Sequence, residues 1–257
     1  MKIIGCQYPI AWETPEKNFE TIDRLLQAES VAPGSLLILP EMFATGFSMN
    51  VERIADLPAI PSYLASLAKA HSAWVIGGQV SRHPEGKGLN QALVYSPEGV
   101  TQGIYNKIHP FSFGGEDKVY DRGNEITLIE INGFMVCPFI CYDLRFPEIF
   151  RTASSRGATA FVVIANWPDP RLSHWTSLLQ ARAIENQAFV IGINRVGEDP
   201  KLHYSGGSAI FDPQGEVIAE SSVGEGLLSG TLDLGALEAW RSRFPALQDA
   251  HHCFRPN

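Results

Sequence analysis

The stretch FMVCPFICYDLRFP, residues 134–147, is the part of the chain from which the fold can be read. Phe134 to Ile140 form an apolar run with no polar alternation, the pattern of a strand covered on both faces. The run stops at Cys141, and a helix is expected from about Phe146. Downstream, Thr159 to Ile164 read as a second buried strand, Ser173 to Asn186 as a helix and Phe189 to Asn194 as a third strand. A hairpin over Ser208 to Glu220 is turned by Asp212-Pro213-Gln214-Gly215, and a further strand lies near Gly226 to Leu232. Upstream, Ile126 to Ile131 and an Asn-Gly turn complete a hairpin with the run itself.

The first half of the chain repeats this plan. A strand, KIIGCQY, is followed by Thr14-Pro15-Glu16, which offers an N-cap and a proline at the first helical position. Phe19, Ile22, Leu25 and Leu26 recur at helical spacing, and Pro33-Gly34 separates that helix from the apolar strand 35–39. A helix from Pro61 to His71, a strand from Trp74 and a hairpin over Asn90 to Ser96 and Gly99 to Asn106 follow. No linker divides the halves, so residues 1–257 are expected to form one α/β domain. Its simplest packing is two mixed sheets face to face with helices outside, a four-layer α-β-β-α sandwich.

Composition supports a globular chain and narrows its partners. Of 257 residues 45% are hydrophobic, enough for a continuous core. The formal charge of -8 and a pI near 5.4 leave no basic surface for nucleic acid or anionic lipid. No window approaches the length of a membrane span, and the amino terminus has no secretory pattern, so a soluble, cytoplasmic protein is expected. The four cysteines, Cys6, Cys137, Cys141 and Cys253, form no C-x-x-C pair and no zinc spacing, and neither a metal nor a cofactor is expected. Cys137 and Cys141, four residues apart on one expected strand, would lie about 13 Å apart at ~3.3 Å per residue. That is beyond disulfide reach and fits a reducing compartment.

Three unlike reactive groups follow apolar strands: Glu41 after Leu39-Pro40, Lys107 after Tyr105-Asn106 and Cys141 after Phe139-Ile140. Ligands bind beyond strand ends in α/β sheets, so the three form a candidate constellation. Cys141 precedes a helix whose dipole and backbone N–H groups would favour a thiolate and hold an oxyanion. Glu41, between apolar residues, could act as a general base. Taken singly, each also reads as an inert cysteine, a helix-capping or ion-paired carboxylate, or an exposed lysine.

Taken together, the motifs resemble the carbon–nitrogen hydrolase, or nitrilase, superfamily. The resemblance rests on Leu39-Pro40-Glu41, Tyr105-Asn106-Lys107-Ile108-His109, Cys141-Tyr142-Asp143-Leu144-Arg145-Phe146-Pro147 and Asn166-Trp167-Pro168, in the family's order and spacing. Ala181-Arg182-Ala183-Ile184-Glu185-Asn186, Tyr204-Ser205-Gly206-Gly207-Ser208 and Asp212-Pro213-Gln214-Gly215 extend it over nearly the whole chain. It implies the same four-layer sandwich and a Glu41–Lys107–Cys141 triad without cofactor. A second glutamate that positions the lysine would be Glu116, seven residues before Gly123, although Pro110 stands where leucine is commoner. Family members commonly pair through the helices after the cysteine and after Asn-Trp-Pro. A homodimer or larger assembly is therefore implied, with Arg145, Glu148, Arg182 and Glu185 as interface or scaffold ion pairs. His109 and His174 allow a papain-like Cys-His reading, but no such signature accompanies them.

By the same resemblance Cys141 attacks an amide carbonyl, Glu41 takes its proton, and Lys107 with the Tyr142 backbone N–H holds the oxyanion. Water then hydrolyses the thioester. The segments after Glu41 and Cys141 look most like the omega-amidase branch, which deamidates 2-oxo acids such as 2-oxoglutaramate. Phe43, Tyr142 and Trp167 would wall a short pocket, and Arg171 would meet the distant carboxylate. The alternatives are a nitrile or N-carbamoyl amino acid hydrolase with the same triad, and a non-catalytic binding scaffold.

Overall fold

The computed structural model describes residues 1–221 and 223–250; Cys253 lies outside them. The chain opens with β1 (Lys2–Gln7), α1 (Pro15–Gln27), β2 (Leu36–Ile38), the short α2 (Val51–Ile54), α3 (Ala59–His71) and β3 (Trp74–Arg82), followed by β4 (Gly88–Tyr95) and β5 (Thr101–Asn106). A short α4 (Glu116–Val119) leads to β6 (Ile129–Ile131), β7 (Phe134–Ile140), α5 (Pro147–Ser155), β8 (Ala160–Ala165), α6 (Leu172–Asn186) and β9 (Phe189–Asn194). Then come β10 (Val196–Glu198), β11 (His203–Ser205), β12 (Ala209–Phe211), β13 (Val217–Glu220), β14 (Gly226–Thr231) and α7 (Leu234–Arg243). Two mixed six-stranded sheets result, ordered β14-β1-β2-β3-β4-β5 and β13-β12-β9-β8-β7-β6, with β10 and β11 as a separate ribbon.

Strand period explains the layers. Ile3, Leu36, Ile38 and Ile76 of the first sheet face the second sheet's Val136, Val162 and Ile193, the last lying against Gly5, while Ile4, Leu37, Leu39 and Val75 face the other way and pack with Ile22, Leu26 and Leu64 of α1 and α3. The helix layer on the second sheet is tied in by Phe150 of α5 and by Trp175 and Leu179 of α6. Both faces of each sheet are thus covered, as the expected four-layer sandwich requires.

The strand expected near Gly226 to Leu232 is β14; it runs antiparallel to β1, Lys2 opposite Thr231 through Gln7 opposite Gly226, and closes the edge of the first sheet. Two local expectations need correction. The strand expected over Ile126 to Ile131 is laddered to β7 only from Ile129, and Thr127 before it donates its hydroxyl to Ile104 O. Thr14 precedes α1 without capping it: its hydroxyl donates to Trp12 O, and Asn18 inside the helix ties the entry by donating to Ala11, Thr14 and Ala44 carbonyls.

Candidate active site

Four strand ends converge between the sheets. Glu41 follows β2 in a turn where Met42 has φ +45°, and its backbone lies directly on Gly78 of β3; a Cβ there would stand 2.4 Å from Met42 N and 2.8 Å from Glu41 Cα. Lys107 follows β5, its N–H donating to Asn90 O at 2.8 Å, while its own carbonyl receives the Gly123 N–H at 2.8 Å. A Cβ on Gly123 would be 2.1 Å from Asn106 O, a physical reason for glycine seven residues after Glu116. Cys141 is the first residue beyond β7, at φ +47°, and Asn166 the first beyond β8. Such a φ on a non-glycine residue persists only where its surroundings enforce it. Here Asp143 does so, accepting from Ile140 N, His109 N and Tyr105 Oη.

Glu41, Lys107 and Glu116 are brought together as the sequence led one to expect. Lys107 Nζ lies 2.9 Å from Glu41 Oε1 and 3.1 and 2.9 Å from the two Glu116 oxygens. All three side chains are at most 1% exposed. Buried charges persist only when their hydrogen bonds are filled, and here they are. Asn166 N donates to Glu41 Oε2 at 2.8 Å, Phe111 N to Glu116 Oε2 at 2.6 Å, and Asn90 Nδ2 to both carboxylates. Cys141, partly exposed, points its sulfur toward Asn166 O at 3.9 Å.

These contacts separate the two glutamates. Burial alone would push the Glu41 carboxyl up, but the Lys107 ammonium and hydrogen bonds from Lys107, Asn90 and Asn166 hold it below the ordinary carboxylate range. Burial pushes Glu116 up, and the Lys107 charge does not overcome it because Glu41 adds a second negative charge. Burial opposes the Lys107 charge, yet Glu116, Glu41 and Cys141 together raise its pKa well above the usual value. The Cys141 thiol is also pushed well up, first by burial and then by Glu41. The expected thiolate-favouring helix terminus is corrected here: residues 141–145 form a 3₁₀ turn and α5 begins only at Pro147, so a half-buried thiol meets a carboxylate instead.

Above the cysteine opens a small cleft. Tyr142, Trp167 and Arg171 line it as anticipated, but Phe43 does not. Phe43 is fully buried on the helix side of the first sheet against Phe19 and Tyr63, because the Met42 turn sends it away from the site. Phe47 and Phe111 take the wall position. Arg145, expected in an interface or scaffold ion pair, forms none within the described chain and lines the cleft, its guanidinium 4.8 Å from the Trp167 ring centre; Arg171 lies 5.3 Å from that of Phe111. Neither forms an ion pair with a described residue. Arg182 does serve the scaffold, pairing with Glu185 at 2.8 Å and donating to Leu144 O beneath the cysteine turn, whereas Glu148 is exposed in the first turn of α5. His109 stacks on Phe146 and meets Asp143, and His174 lies 3.3 Å from Arg145 Nη2; their contacts are with those groups and not with Cys141.

Comparison with known proteins places this geometry. The carbon-nitrogen hydrolase family model matches residues 5–242. The chain belongs to the carbon-nitrogen hydrolase family. It is 39% identical over 252 residues to Omega-amidase YafV of Yersinia enterocolitica, covering 97% of this chain and 96% of that protein. It is 34% identical to the 2-oxoglutaramate amidase of Bacillus subtilis, covering 96% of each. A CN-hydrolase superfamily protein of Xanthomonas campestris, solved with an arsenic adduct in its active site, superposes with a TM-score of 0.91 at 35% identity, over 98% of this chain and 97% of that one. Within the carbon-nitrogen hydrolase family, then, this chain is an enzyme of the amidase kind. Its sequence exposed Glu41, Lys107 and Cys141, which follow strands, and the family resemblance pointed to Glu116, which opens α4. It did not expose Asn90, Phe47, Phe111 or Arg145 as site residues. For Asn90 a signal existed: a polar side chain inside an otherwise buried strand.

Proposed function

We propose that this carbon-nitrogen hydrolase cleaves the terminal amide of a small 2-oxo acid, such as 2-oxoglutaramate, through a thioester on Cys141, releasing ammonia. The observation that carries this reading is the pairing of a buried Glu41–Lys107–Glu116 cluster beside a cysteine with a short cleft lined by two arginines that form no ion pair among the described residues. The names of the omega-amidase and 2-oxoglutaramate amidase relatives support it.

Glu41, held ionised, takes the Cys141 proton as sulfur attacks the amide carbon, so the thiol need not ionise beforehand. Lys107 and the Tyr142 backbone N–H stabilise the oxyanion. Glu41 returns the proton to the departing nitrogen and ammonia leaves. Water, deprotonated by the same carboxylate, then opens the thioester. Glu116 keeps Lys107 in place and offsets its charge. Tyr142 and Trp167 wall the acyl chain, and Arg171, joined by Arg145, takes the distant carboxylate. The enzyme acts in the cytoplasm as a homodimer or larger assembly built on α5 and α6, where Ile184 is 51% exposed; light scattering should exceed the 28.2 kDa of one chain.

Steady-state kinetics test the substrate. The value of kcat/KM should be at least about 10²-fold higher for 2-oxoglutaramate than for glutamine, asparagine, a simple nitrile or an N-carbamoyl amino acid. Equal or better turnover of the nitrile or the carbamoyl compound would overturn the 2-oxo acid assignment in favour of that hydrolase.

A further inference from the structure

Asn90, on β4 and 1% exposed, touches every element of the buried cluster. Its carbonyl receives the Lys107 backbone N–H at 2.8 Å. Its side-chain nitrogen donates to Glu41 Oε1 at 2.8 Å and to Glu116 Oε1 at 2.9 Å. Lys107 Nζ reaches the same two oxygens at 2.9 and 3.1 Å. The four atoms close a ring in which donors and acceptors alternate. Only the amide nitrogen, not its oxygen, can face two carboxylates, and that orientation leaves Asn90 Oδ1 buried with no partner among the described residues. A residue required only for packing would gain nothing from an orphaned acceptor, which costs about 1–3 kcal/mol.

We propose that Asn90 is the positioning residue of the site, its one amide nitrogen holding the two carboxylates at a fixed separation so that Glu41 is presented to Cys141 as the base while Glu116 stays on Lys107. An ammonium alone could slide toward either glutamate; a second donor shared between the same oxygens prevents this. Neither donor is interchangeable with the other: Lys107 neutralises one negative charge, and Asn90 separates the two without adding charge. The groups facing Glu41 are then Lys107 after β5, Glu116 and Tyr120 at the two ends of α4, and Cys141 after β7. Removing the Asn90 donor leaves that set intact and takes a stabilising hydrogen bond from each carboxylate, so Glu41 should accept a proton at higher pH.

This inference rests on the thioester reading, and the test separates the two. The rate at which iodoacetamide alkylates Cys141, located by peptide mass spectrometry, is followed against pH in full-length protein and needs no assumption about the natural substrate. Wild type should show an acid limb that Glu41→Gln abolishes together with most of the rate. Failure there, or an adduct on another cysteine, overturns the thioester reading itself. With that limb present, Asn90→Leu and the smaller Asn90→Ser should alkylate about ten-fold more slowly at neutral pH, and their limb should move up by roughly one pH unit. Asn90→Asp should be slowest at neutral pH and recover on acidification, as its carboxyl gains the proton it needs to donate. Variants that stay folded by circular dichroism and keep the wild-type limb, or lose rate equally at all pH, would overturn the role of Asn90 while leaving the thioester reading standing. If Asn90→Leu does not fold, Asn90→Ser and Asn90→Asp decide by the same criteria.

Discussion

At the floor of the cleft, Glu41, Lys107 and Glu116 are at most 1% exposed and every charged atom has a partner. At its mouth, Arg145 and Arg171 lie over the Trp167 and Phe111 rings and form no ion pair with a described residue. The floor spends its donors on its own acceptors and fixes geometry, which suits a bond-breaking step common to many amides. The mouth leaves charge and aromatic surface for something not yet bound, which suits a choice among acyl groups. A buried cluster with a vacancy would be unstable, since an unpaired interior charge costs several kcal/mol. Half-exposed guanidiniums stacked on rings carry no such cost.

The sharpest break of this contrast is at the floor. Cys141→Ser should fold, and its kcat should fall by at least about 10³-fold for every amide tested, because the oxygen nucleophile lacks the sulfur's reactivity. Steady-state assays with one anionic and one uncharged amide check this, and a loss confined to the anionic one would erase the division. Arg145→Met and Arg171→Met come next. Each should cost about 10–10²-fold in kcat/KM for 2-oxoglutaramate, the worth of one charge-assisted contact of ~1.5–3 kcal/mol, expressed mainly in KM. An uncharged amide of similar length should change little, and equal losses on both would place the arginines in the scaffold. Phe43→Leu should have the smallest kinetic effect. It should lower stability by about 1–2 kcal/mol in chemical denaturation and leave both kinetic constants near wild type, whereas the same change at Phe47 should raise KM. A kinetic defect at Phe43 would mean that the wall extends to the far side of the first sheet.

Read alone, the sequence was enough for the two repeated strand-helix halves and for strand ends carrying Glu41, Lys107 and Cys141, while Glu116 came only with the family resemblance. The former features depend on period, on local turn chemistry and on residues adjacent along the chain. What needed the tertiary structure depends on which surfaces meet. The pairing of β14 with β1 joins residues more than two hundred apart, and no local pattern names a strand's partner. The exchange of Phe43 for Phe47 in the wall turns on one left-handed residue, Met42, that redirects the chain after Glu41. Arg145 reads equally well as a surface ion pair or a cleft cation until its neighbours are in place. The ionisation of Cys141 went against the local reading for the same reason. A helix start favours a thiolate, but burial and the Glu41 carboxylate, brought from a strand of the opposite sheet, act on the sulfur more strongly than a turn of backbone does.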